Sequence, residues 1–261
     1  RIKLIEPVAL IYLRGTFRAL VFFISGGWMM LKIWFMMKIK GLDLDRALKY
    51  RKKLLNWLIP FFGVRITTYG ELPTEPGLLL CNHRSYFDPA PLLMELKAIP
   101  VGKAEIADWP VIGLGVRLSG IIFVDRKTAE GRLRARNQMN RKLKEGYSII
   151  NYPEGTTYRG PELLNPKKGM FKDAAVNDYL IYPVVVEYQS PLDAWAGGET
   201  FVQHFFKRFG RRRIEMRVSY GKAMKGKDPE VLYEQCKTWI KEETLRLREG
   251  WYRYEDLDQQ V

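Results

Sequence analysis

The fold is decided by the stretch Leu78-Leu-Leu-Cys-Asn-His-Arg-Ser-Tyr-Phe-Asp-Pro-Ala-Pro91. Its first four residues are apolar and predict a short buried strand. The polar residues that follow predict a turn. Asp88 and Pro89 are typical of a helix start, because Asp caps helix N-termini and Pro is tolerated in the first turn. A strand that enters a helix through a short polar turn is a building unit of α/β domains.

The same alternation continues from residue 64 to the end of the chain. Six strands are predicted: Val64–Tyr69, Leu78–Cys81, Ile121–Val124, Tyr147–Tyr152, Ile181–Glu187 and Ile214–Ser219. Four helices are predicted among them: Pro89–Lys97, Ala129–Glu145, Phe171–Val176 and Pro229–Leu247. We therefore expect an α/β domain over residues 64–261, with a mixed, mostly parallel sheet flanked by helices. The chain has 261 residues, 47% of them hydrophobic, which is enough for one such core.

Residues 1–63 follow a different pattern. An apolar run covers Ala9–Ile39, and four cations interrupt it: Arg14, Arg18, Lys32 and Lys38. The longest stretch without a charge is Ala19–Leu31, whose 13 residues fall short of the ~20 that a spanning helix needs. The pattern favours a helix that lies in or dips into one leaflet, with its cations reaching the headgroups. A spanning helix is the alternative, and a buried core helix is disfavoured.

A second helix is predicted for Leu44–Leu58, with Asp43 as its cap and Pro60 ending it. Its apolar residues fall at helical spacing, and basic residues fill the remaining positions. Residues 1–70 hold 13 basic and 3 acidic residues, so they carry +10 of the formal net charge of +14. Apolar surface combined with positive charge predicts that the two helices form a membrane-associated segment, whose partner is an anionic membrane surface.

His83 and Asp88 stand at the two ends of the polar turn. Histidine is the usual residue for proton transfer near neutral pH, and a carboxylate on its second ring nitrogen fixes the tautomer. Such a pair could take the proton of a substrate hydroxyl, which then attacks a thioester without a protein nucleophile. From this stretch alone the alternative stays open, in which Asp88 only caps the helix and His83 only satisfies the turn.

Other candidates lie at the ends of later strands. The stretch Asn151–Thr157 follows a strand, at the place where α/β folds bind ligands. There Glu154 could hold a hydroxyl or orient a cation, and Gly155 would let the backbone approach a ligand. Arg126 ends another strand and could hold a phosphate through two hydrogen bonds, and Lys103 is a weaker candidate of the same type. Considered alone, a segment such as Asn151–Thr157 is more often an ordinary turn, and a lone Arg126 or Lys103 is more often a solvated cation.

Together these stretches resemble the sequence boxes of the glycerolipid acyltransferases, the family of 1-acyl-glycerol-3-phosphate (lysophosphatidic acid) acyltransferases. Asn82–Asp88 resembles the N-H-x-S-x-x-D box. The later matches are Gly120–Arg126 to G-x-I-F-(V/I)-x-R, Tyr152–Thr156 to F-P-E-G-T, and Ile181–Val186 to an apolar run around a proline. Between the last two, Lys168, Gly169 and Phe171 match residues of a K-x-G-x-F-like stretch. The boxes occur in the family's order and roughly its spacing, which makes the set specific although each box is weak alone.

The resemblance implies a role for each matching residue. His83 would be the general base, Asp88 the carboxylate that orients it, and Arg126 a contact for the acceptor's phosphate. Three residues would shape the acceptor site: Glu154, Gly155 and Thr156. The acceptor would be 1-acyl-glycerol-3-phosphate, giving phosphatidic acid, and the donor an acyl thioester of coenzyme A or acyl-carrier protein. The family needs no metal or bound organic cofactor. The expected location is the cytoplasmic face of the inner membrane.

The third box departs from the family at one position. The family continues after Glu-Gly-Thr with Arg-Ser, whereas this chain has Thr157 and Tyr158, and its next cation is Arg159. The departure weakens the expectation of a glycerol-3-phosphate headgroup. Either Arg159 substitutes for the missing cation, or the acceptor is another lysolipid, zwitterionic or amino-acid-based.

Two other classes of function fit less of the sequence. A non-catalytic membrane-surface protein would account for the charge but not for the ordered boxes. Nucleic-acid binding rests only on Arg211–Arg213 and the basic run Arg132–Lys144, which are typical of a solvated face, so we expect no nucleic-acid partner.

Cys81 and Cys236 form no CxxC or Cys/His cluster and indicate neither a zinc site nor a disulfide framework. His204 has no polar companion in the sequence and is expected to pack or cap locally.

Overall fold

The computed structural model describes residues 6–41, 43–108, 113, 120–196 and 198–251. Seven α-helices lie within these ranges: α1 (Val8–Lys40), α2 (Leu44–Phe61), α3 (Pro89–Glu95), α4 (Ala129–Lys144), α5 (Gly169–Asn177), α6 (Phe201–Phe209) and α7 (Pro229–Arg248). The strands are β1 (Val64–Tyr69), β2 (Leu78–Cys81), β3 (Ala98–Lys103), β4 (Ile122–Val124), β5 (Ser148–Asn151), β6 (Ile181–Tyr188) and β7 (Ile214–Tyr220). Two short 3-10 helices follow β3 and β6: Ala104–Asp108 and Pro191–Asp193.

The strands form one seven-stranded sheet, in the order β1-β7-β6-β2-β5-β3-β4. Neighbouring strands run parallel, except that β7 is antiparallel to β6. The predicted fold class, a mixed and mostly parallel sheet flanked by helices, is confirmed. Because β2 to β6 are parallel to one another, their carboxyl ends share one edge of the sheet. The turns that follow β2, β4 and β5 carry the three predicted site segments to that edge.

Helices cover both faces of the sheet, and the side chains of β2 alternate between the two cores. Leu78 and Leu80 join the core formed with α4, α5 and α7, whereas Leu79 and Cys81 face α2 and α3. This is the period-2 alternation of a strand. Burying one leucine stabilises a fold by about 1.5–3 kcal/mol relative to leaving it exposed. The short apolar strand of the opening stretch therefore contributes to both cores at once.

Among the described α-helices and strands, one strand, β3, and one helix, α6, were missing from the sequence-based prediction. β3 contains Pro100 and Gly102, which weaken a strand pattern, yet it pairs with both β5 and β4. α6 is a short aromatic run that composition alone did not distinguish from a loop. Its capping box, in which Thr200 and Gln203 bond reciprocally, was the available sign. The other elements of the domain agree with their predicted bounds to within two residues.

α1 is an apolar helix of 33 residues, about 50 Å long at a rise of about 1.5 Å per residue. Its segment Val8–Met36 is long and apolar enough to cross a membrane. Side chains along it are strongly exposed, among them Leu13 (69%), Ile24 (71%) and Trp28 (69%). The prediction that this run is not a buried core helix is confirmed. An exposed apolar helix of this length is typical of membrane association.

Two cations of α1 bind the protein itself. Arg18 donates to the carbonyls of Phe209 (2.7 Å) and Arg211 (2.6 Å), and Arg14 donates to the carbonyl of Gly210 (2.9 Å). These carbonyls lie at the C-terminal end of α6, where the helix dipole favours a positive charge. The prediction that the interrupting cations reach lipid headgroups is therefore wrong for Arg14 and Arg18, which fasten α1 to the α/β domain.

α2 begins as predicted. The Asp43 carboxylate accepts from the backbone N–H groups of Asp45 (3.0 Å) and Arg46 (3.4 Å). Its end differs from the prediction, because the helix runs through Pro60 to Phe61. A proline costs a helix one backbone hydrogen bond, and the helix ends one residue after it, at Phe61. The chain then turns at a glycine with φ +72° and enters β1.

Candidate active site

The two residues of the predicted catalytic pair meet in the turn after β2. Nδ1 of His83 lies 2.8 Å from Oδ2 of Asp88. The backbone N–H groups of Arg84 (2.7 Å) and Ser85 (2.8 Å) also donate to Oδ2, and the Tyr188 hydroxyl donates to Oδ1 at 2.8 Å. Asp88 is fully buried. These partners together compensate the free-energy cost of removing the carboxylate from water.

Asp88 does not cap α3 with its side chain. It stands at the N-cap position with Pro89 after it, but its carboxylate makes no cap hydrogen bond. Its backbone is already helical, with φ −53° and ψ −33°, whereas a usual N-cap is extended. The interpretation of Asp88 as only a cap is therefore wrong. The carboxylate instead holds the turn that precedes it.

The imidazole of His83 is held on two sides. Asp88 binds Nδ1, and the ring stacks on Tyr152, with 4.0 Å between the ring centroids and 21° between the ring planes. A carboxylate on Nδ1 favours the tautomer that carries the proton there. Nε2 is then left as a proton acceptor. The side chain of His83 is 19% exposed, so the ring is partly open to solvent.

Glu154 of the third box lies beside the same turn. Its carboxyl group accepts a hydrogen bond from the backbone N–H of His83 and is close to the guanidinium of Arg84. Burial raises the pKa of Glu154 to about 8, although that N–H and the Arg84 charge act in the opposite direction. At neutral pH the carboxyl group is therefore mostly protonated, and it can donate a hydrogen bond to a substrate oxygen.

Gly155 brings the second and third boxes together. The guanidinium of Arg126 donates to the Gly155 carbonyl. Gly155 has φ +80°, in the left-handed region that glycine adopts without strain. A Cβ at this position would lie 3.1 Å from Nζ of Lys167 and 3.9 Å from a guanidinium nitrogen of Arg126. Two cations therefore flank this turn, and together they suit an anionic group of a substrate.

Lys167 was missing from the predicted site residues. The family resemblance was assigned to its neighbour Lys168, but in a K-x-G-x-F stretch one residue separates the lysine from the glycine, so Gly169 and Phe171 pointed to Lys167. In the structure Lys168 pairs with Glu230 on α7. The backbone N–H of Lys167 donates to the Pro153 carbonyl at 2.9 Å, which turns its side chain toward Gly155.

Lys103 and Thr156 lie at the margin of the site. Lys103 ends β3 with an exposed side chain and pairs in register with Val124, two residues before Arg126. Thr156 is exposed and makes only a long hydrogen bond, of 3.5 Å, to the Thr157 carbonyl. Both share the sheet edge with the His83–Asp88 pair, but no contact in the structure joins either to it.

Arg159 points away from the catalytic pair. Its guanidinium donates to the Ala194 carbonyl at 3.0 Å and lies 3.8 Å from the Glu199 carboxylate. Its charge is therefore directed to the segment before α6. The structure gives no support to the idea that Arg159 substitutes for the arginine that the third box lacks.

Two further residues of the site were not predicted. Asn82 bonds both backbone groups of Val186, accepting from its N–H at 2.8 Å and donating to its carbonyl at 3.0 Å. Tyr188, at the end of β6, holds the second oxygen of Asp88. Each contact joins positions about a hundred residues apart, so no local pattern could have indicated it. Within the described residues, no group of three or more His, Cys, Asp or Glu side chains is placed to hold a metal ion.

His204 packs locally, as expected, and its polar partner comes from a distant part of the sequence. Its Nδ1 lies 3.1 Å from the hydroxyl of Tyr86, a residue of the first box. The imidazole is fully buried, and burial is the main reason that its pKa falls to about 4. A neutral histidine enclosed in this way packs behind the turn and is not placed for proton transfer with a substrate.

Comparison with known proteins finds acyltransferases. The family model described as Acyltransferase matches residues 63–187. The lyso-ornithine lipid O-acyltransferase of Rhizobium meliloti (strain 1021) is 29% identical over 62% of this chain and 62% of its own length. Lysophosphatidylcholine acyltransferase 1 of Danio rerio is 32% identical over 60% of this chain and 31% of its own length. The matched region thus spans less than two thirds of these relatives.

The fold has a counterpart among solved structures. The crystal structure of the 1-acyl-sn-glycerophosphate acyltransferase from Thermotoga maritima matches with a TM-score of 0.68, over 94% of this chain and 98% of that chain. Sequence identity between the two is 19%. The likeness is one of fold, and it includes most of the N-terminal helices.

Proposed function

We propose that the chain is a member of the glycerolipid acyltransferase family and acts as a membrane-associated lysolipid O-acyltransferase. It transfers a fatty acyl group from a thioester, of coenzyme A or of acyl-carrier protein, to the free hydroxyl of a lysolipid. One observation carries the proposal. His83 is bonded through Nδ1 to a buried carboxylate at 2.8 Å, while its ring remains partly exposed at the sheet edge.

His83 acts as the general base. Its Nε2 takes the proton of the acceptor hydroxyl while the hydroxyl oxygen forms a bond to the thioester carbonyl carbon. The C–S bond then breaks, and His83 returns the proton to the leaving thiolate, so the imidazole ends neutral. Asp88 holds Nδ1–H throughout and stabilises the imidazolium between the two transfers. Glu154, mostly protonated at neutral pH, donates a hydrogen bond to an acceptor oxygen.

The acceptor carries an anionic group that Arg126 and Lys167 bind. Both cations flank the Gly155 turn beside the catalytic pair. A phosphate, with up to two negative charges, matches two cations better than a single carboxylate does. We therefore place 1-acyl-glycerol-3-phosphate first, which would give phosphatidic acid.

A lyso-ornithine lipid is the second candidate acceptor. The relatives in Rhizobium meliloti, Brucella abortus and Pseudomonas aeruginosa carry that name. The third box also supports it, since Thr157 stands where the family's arginine is usual and Arg159 is directed elsewhere. An amino-acid headgroup would place one carboxylate between the same two cations.

The N-terminal segment, residues 1–63, serves as the membrane anchor of this enzyme. Its support is the exposed apolar surface of α1 together with the concentration of positive charge in residues 1–70. We place α1 in one leaflet at the cytoplasmic face of the inner membrane, with a spanning orientation as the alternative. An anionic membrane surface is the partner, and no nucleic acid takes part.

The experiment that tests this function is an acyl-transfer assay in detergent micelles. Labelled palmitoyl-CoA and palmitoyl-carrier protein are each offered with three acceptors: lysophosphatidate, a lyso-ornithine lipid and lysophosphatidylcholine. Product from lysophosphatidate supports the first acceptor, and product from the lyso-ornithine lipid alone supports the second. Product from lysophosphatidylcholine alone contradicts both proposed acceptors. If no donor and acceptor pair gives product, the proposed function is wrong.

A further inference from the structure

A buried ion network lies beside the catalytic turn. Glu187, near the end of β6, is 1% exposed. Its Oε1 lies 2.9 Å from both Nε and a terminal nitrogen of Arg84, the residue after His83. The same oxygen accepts from Arg248, at the end of α7, at 3.1 Å. Arg84 and Arg248 are themselves buried, 3% and 8% exposed. One carboxylate thus joins the first box to the last helix.

The two arginines bind the segment that follows the third box, residues 156–161, which we call the acceptor loop. Arg84 donates to the carbonyls of Tyr158 (3.0 Å) and Gly160 (3.2 Å). Arg248 donates to the carbonyl of Pro161 at 2.7 Å. The loop is also bonded to the catalytic turn directly, because the backbone N–H of Tyr158 donates to the carbonyl of His83 at 3.0 Å.

Such a network is weak evidence for stability, since burying charges costs about as much free energy as their attraction returns. The network matters because it fixes the position of the acceptor loop. A guanidinium group is a rigid, planar set of hydrogen-bond donors. Here the two guanidinium groups donate hydrogen bonds to three carbonyls of the acceptor loop. The loop begins directly after Glu154 and Gly155, so its position sets where those two residues stand relative to His83.

We propose that Glu187 and Arg248 are positioning residues, which hold the acceptor loop against the catalytic turn through Arg84 and so place the acceptor headgroup. This inference rests on the proposed function. It assigns a role in the active site to the last helix, whose arginine is 165 positions from His83 in the sequence. The network holds the acceptor loop, for which we propose no contact with the donor thioester, so its loss is expected to weaken acceptor binding and to leave donor binding unchanged.

The structure offers a matched pair of variants. Arg248→Gln removes the donor to Pro161 and one cation of Glu187. Arg217→Gln is the control, because Arg217 binds the carbonyls of Leu247 (2.6 Å) and Glu249 (3.0 Å), on either side of Arg248, and bonds no residue of the acceptor loop. Both variants loosen the end of α7, and only the first releases the loop.

The first readout is steady-state kinetics with each substrate varied in turn. Arg248→Gln is expected to raise the KM for the acceptor about tenfold, which is the loss of one charge-assisted hydrogen bond, with the KM for the donor unchanged. Arg217→Gln is expected to change neither KM. Equal increases in both KM values for Arg248→Gln, or the same acceptor effect in Arg217→Gln, would overturn the proposal.

The second readout does not depend on activity. Amide hydrogen exchange of a peptide spanning residues 156–164 should be faster in Arg248→Gln than in wild type and unchanged in Arg217→Gln. Exchange in Arg248→Gln equal to wild type overturns the proposal even if the enzyme is active. A chain that transfers no acyl group refutes the proposed function, while this measurement still decides the positioning role. If Arg248→Gln does not fold, Glu187→Gln is measured in its place with the same expected outcomes.

Discussion

The spacing between His83 and Asp88 has a geometric cause. The Asp88 carboxylate accepts from the histidine ring and from the backbone N–H groups of Arg84 and Ser85, which lie within the same turn. One side chain thus closes the turn and orients the His83 ring. Moving Asp88 by one residue would separate these two tasks, which explains why a histidine and an aspartate five residues apart form a specific pattern.

The titration of Glu154 gives a prediction at the residue scale. Its pKa is raised from 4.5 to about 8 in the folded protein, so folding favours the protonated form. That contribution to stability is fully present below pH 4.5 and is lost as the pH rises through about 8. We expect the free energy of unfolding of wild type, relative to Glu154→Gln, to fall between pH 5 and pH 8.5. Urea unfolding across this range measures it, and parallel curves for the two proteins would contradict the assignment.

The sequence pattern predicted the contact between His83 and Asp88 better than the contacts that hold the surrounding loop. His83 and Asp88 are close in the sequence, and their contact follows from one turn. The contacts of Glu187 with Arg84 and Arg248 join residues 103 and 61 positions apart. Those contacts depend on the order of strands in the sheet, which a local pattern does not contain.

At the scale of elements, regular side-chain periodicity decided what could be predicted. The strands with continuous apolar residues were found to within two residues, because sterics and burial both favour them. β3 was missed because Pro100 and Gly102 interrupt the pattern. Its pairing with β5 and β4 supplies the stability that local propensity does not.

The junction between α1 and α6 gives a prediction for one element. Arg18 is 7% exposed and bonds two backbone carbonyls at the end of α6. Arg18→Gln should lower the free energy of unfolding by about 1–3 kcal/mol, because buried carbonyls lose a charged donor. Lys38→Gln is the control, since Lys38 is exposed and only approaches the Trp34 ring, at 5.9 Å from its centroid. Urea unfolding in detergent measures both, and equal stability of Arg18→Gln and wild type would show that Arg18 does not fasten the helix.

At the scale of the whole molecule, charge and apolar surface are concentrated at one end of the chain. Residues 1–70 carry +10 of the net +14, and α1 exposes most of its large apolar side chains. Both features were readable in the sequence. The attachment of α1 to α6 could not be read from the sequence. The arginines that make this attachment look the same in the sequence as arginines that would reach lipid headgroups.

Vesicle binding should follow this distribution of charge. We expect tighter binding to vesicles that contain anionic lipid than to zwitterionic vesicles, since each basic residue near an anionic surface contributes about 1 kcal/mol. Raising the salt concentration should weaken binding without abolishing it, because burial of the apolar face of α1 is not screened. Co-sedimentation at low and high salt measures both effects. Equal binding to the two kinds of vesicle would contradict the electrostatic part of the account.

The central claim is that His83 is the base of an acyl transfer. The most direct test compares turnover of wild type and His83→Ala with the acceptor that gives product. Because the His83 side chain is 19% exposed and lies at the end of a strand, the variant should fold, which its thermal unfolding checks. We predict a loss of turnover of roughly 100- to 10,000-fold. A folded His83→Ala protein that turns over at the wild-type rate would contradict the account.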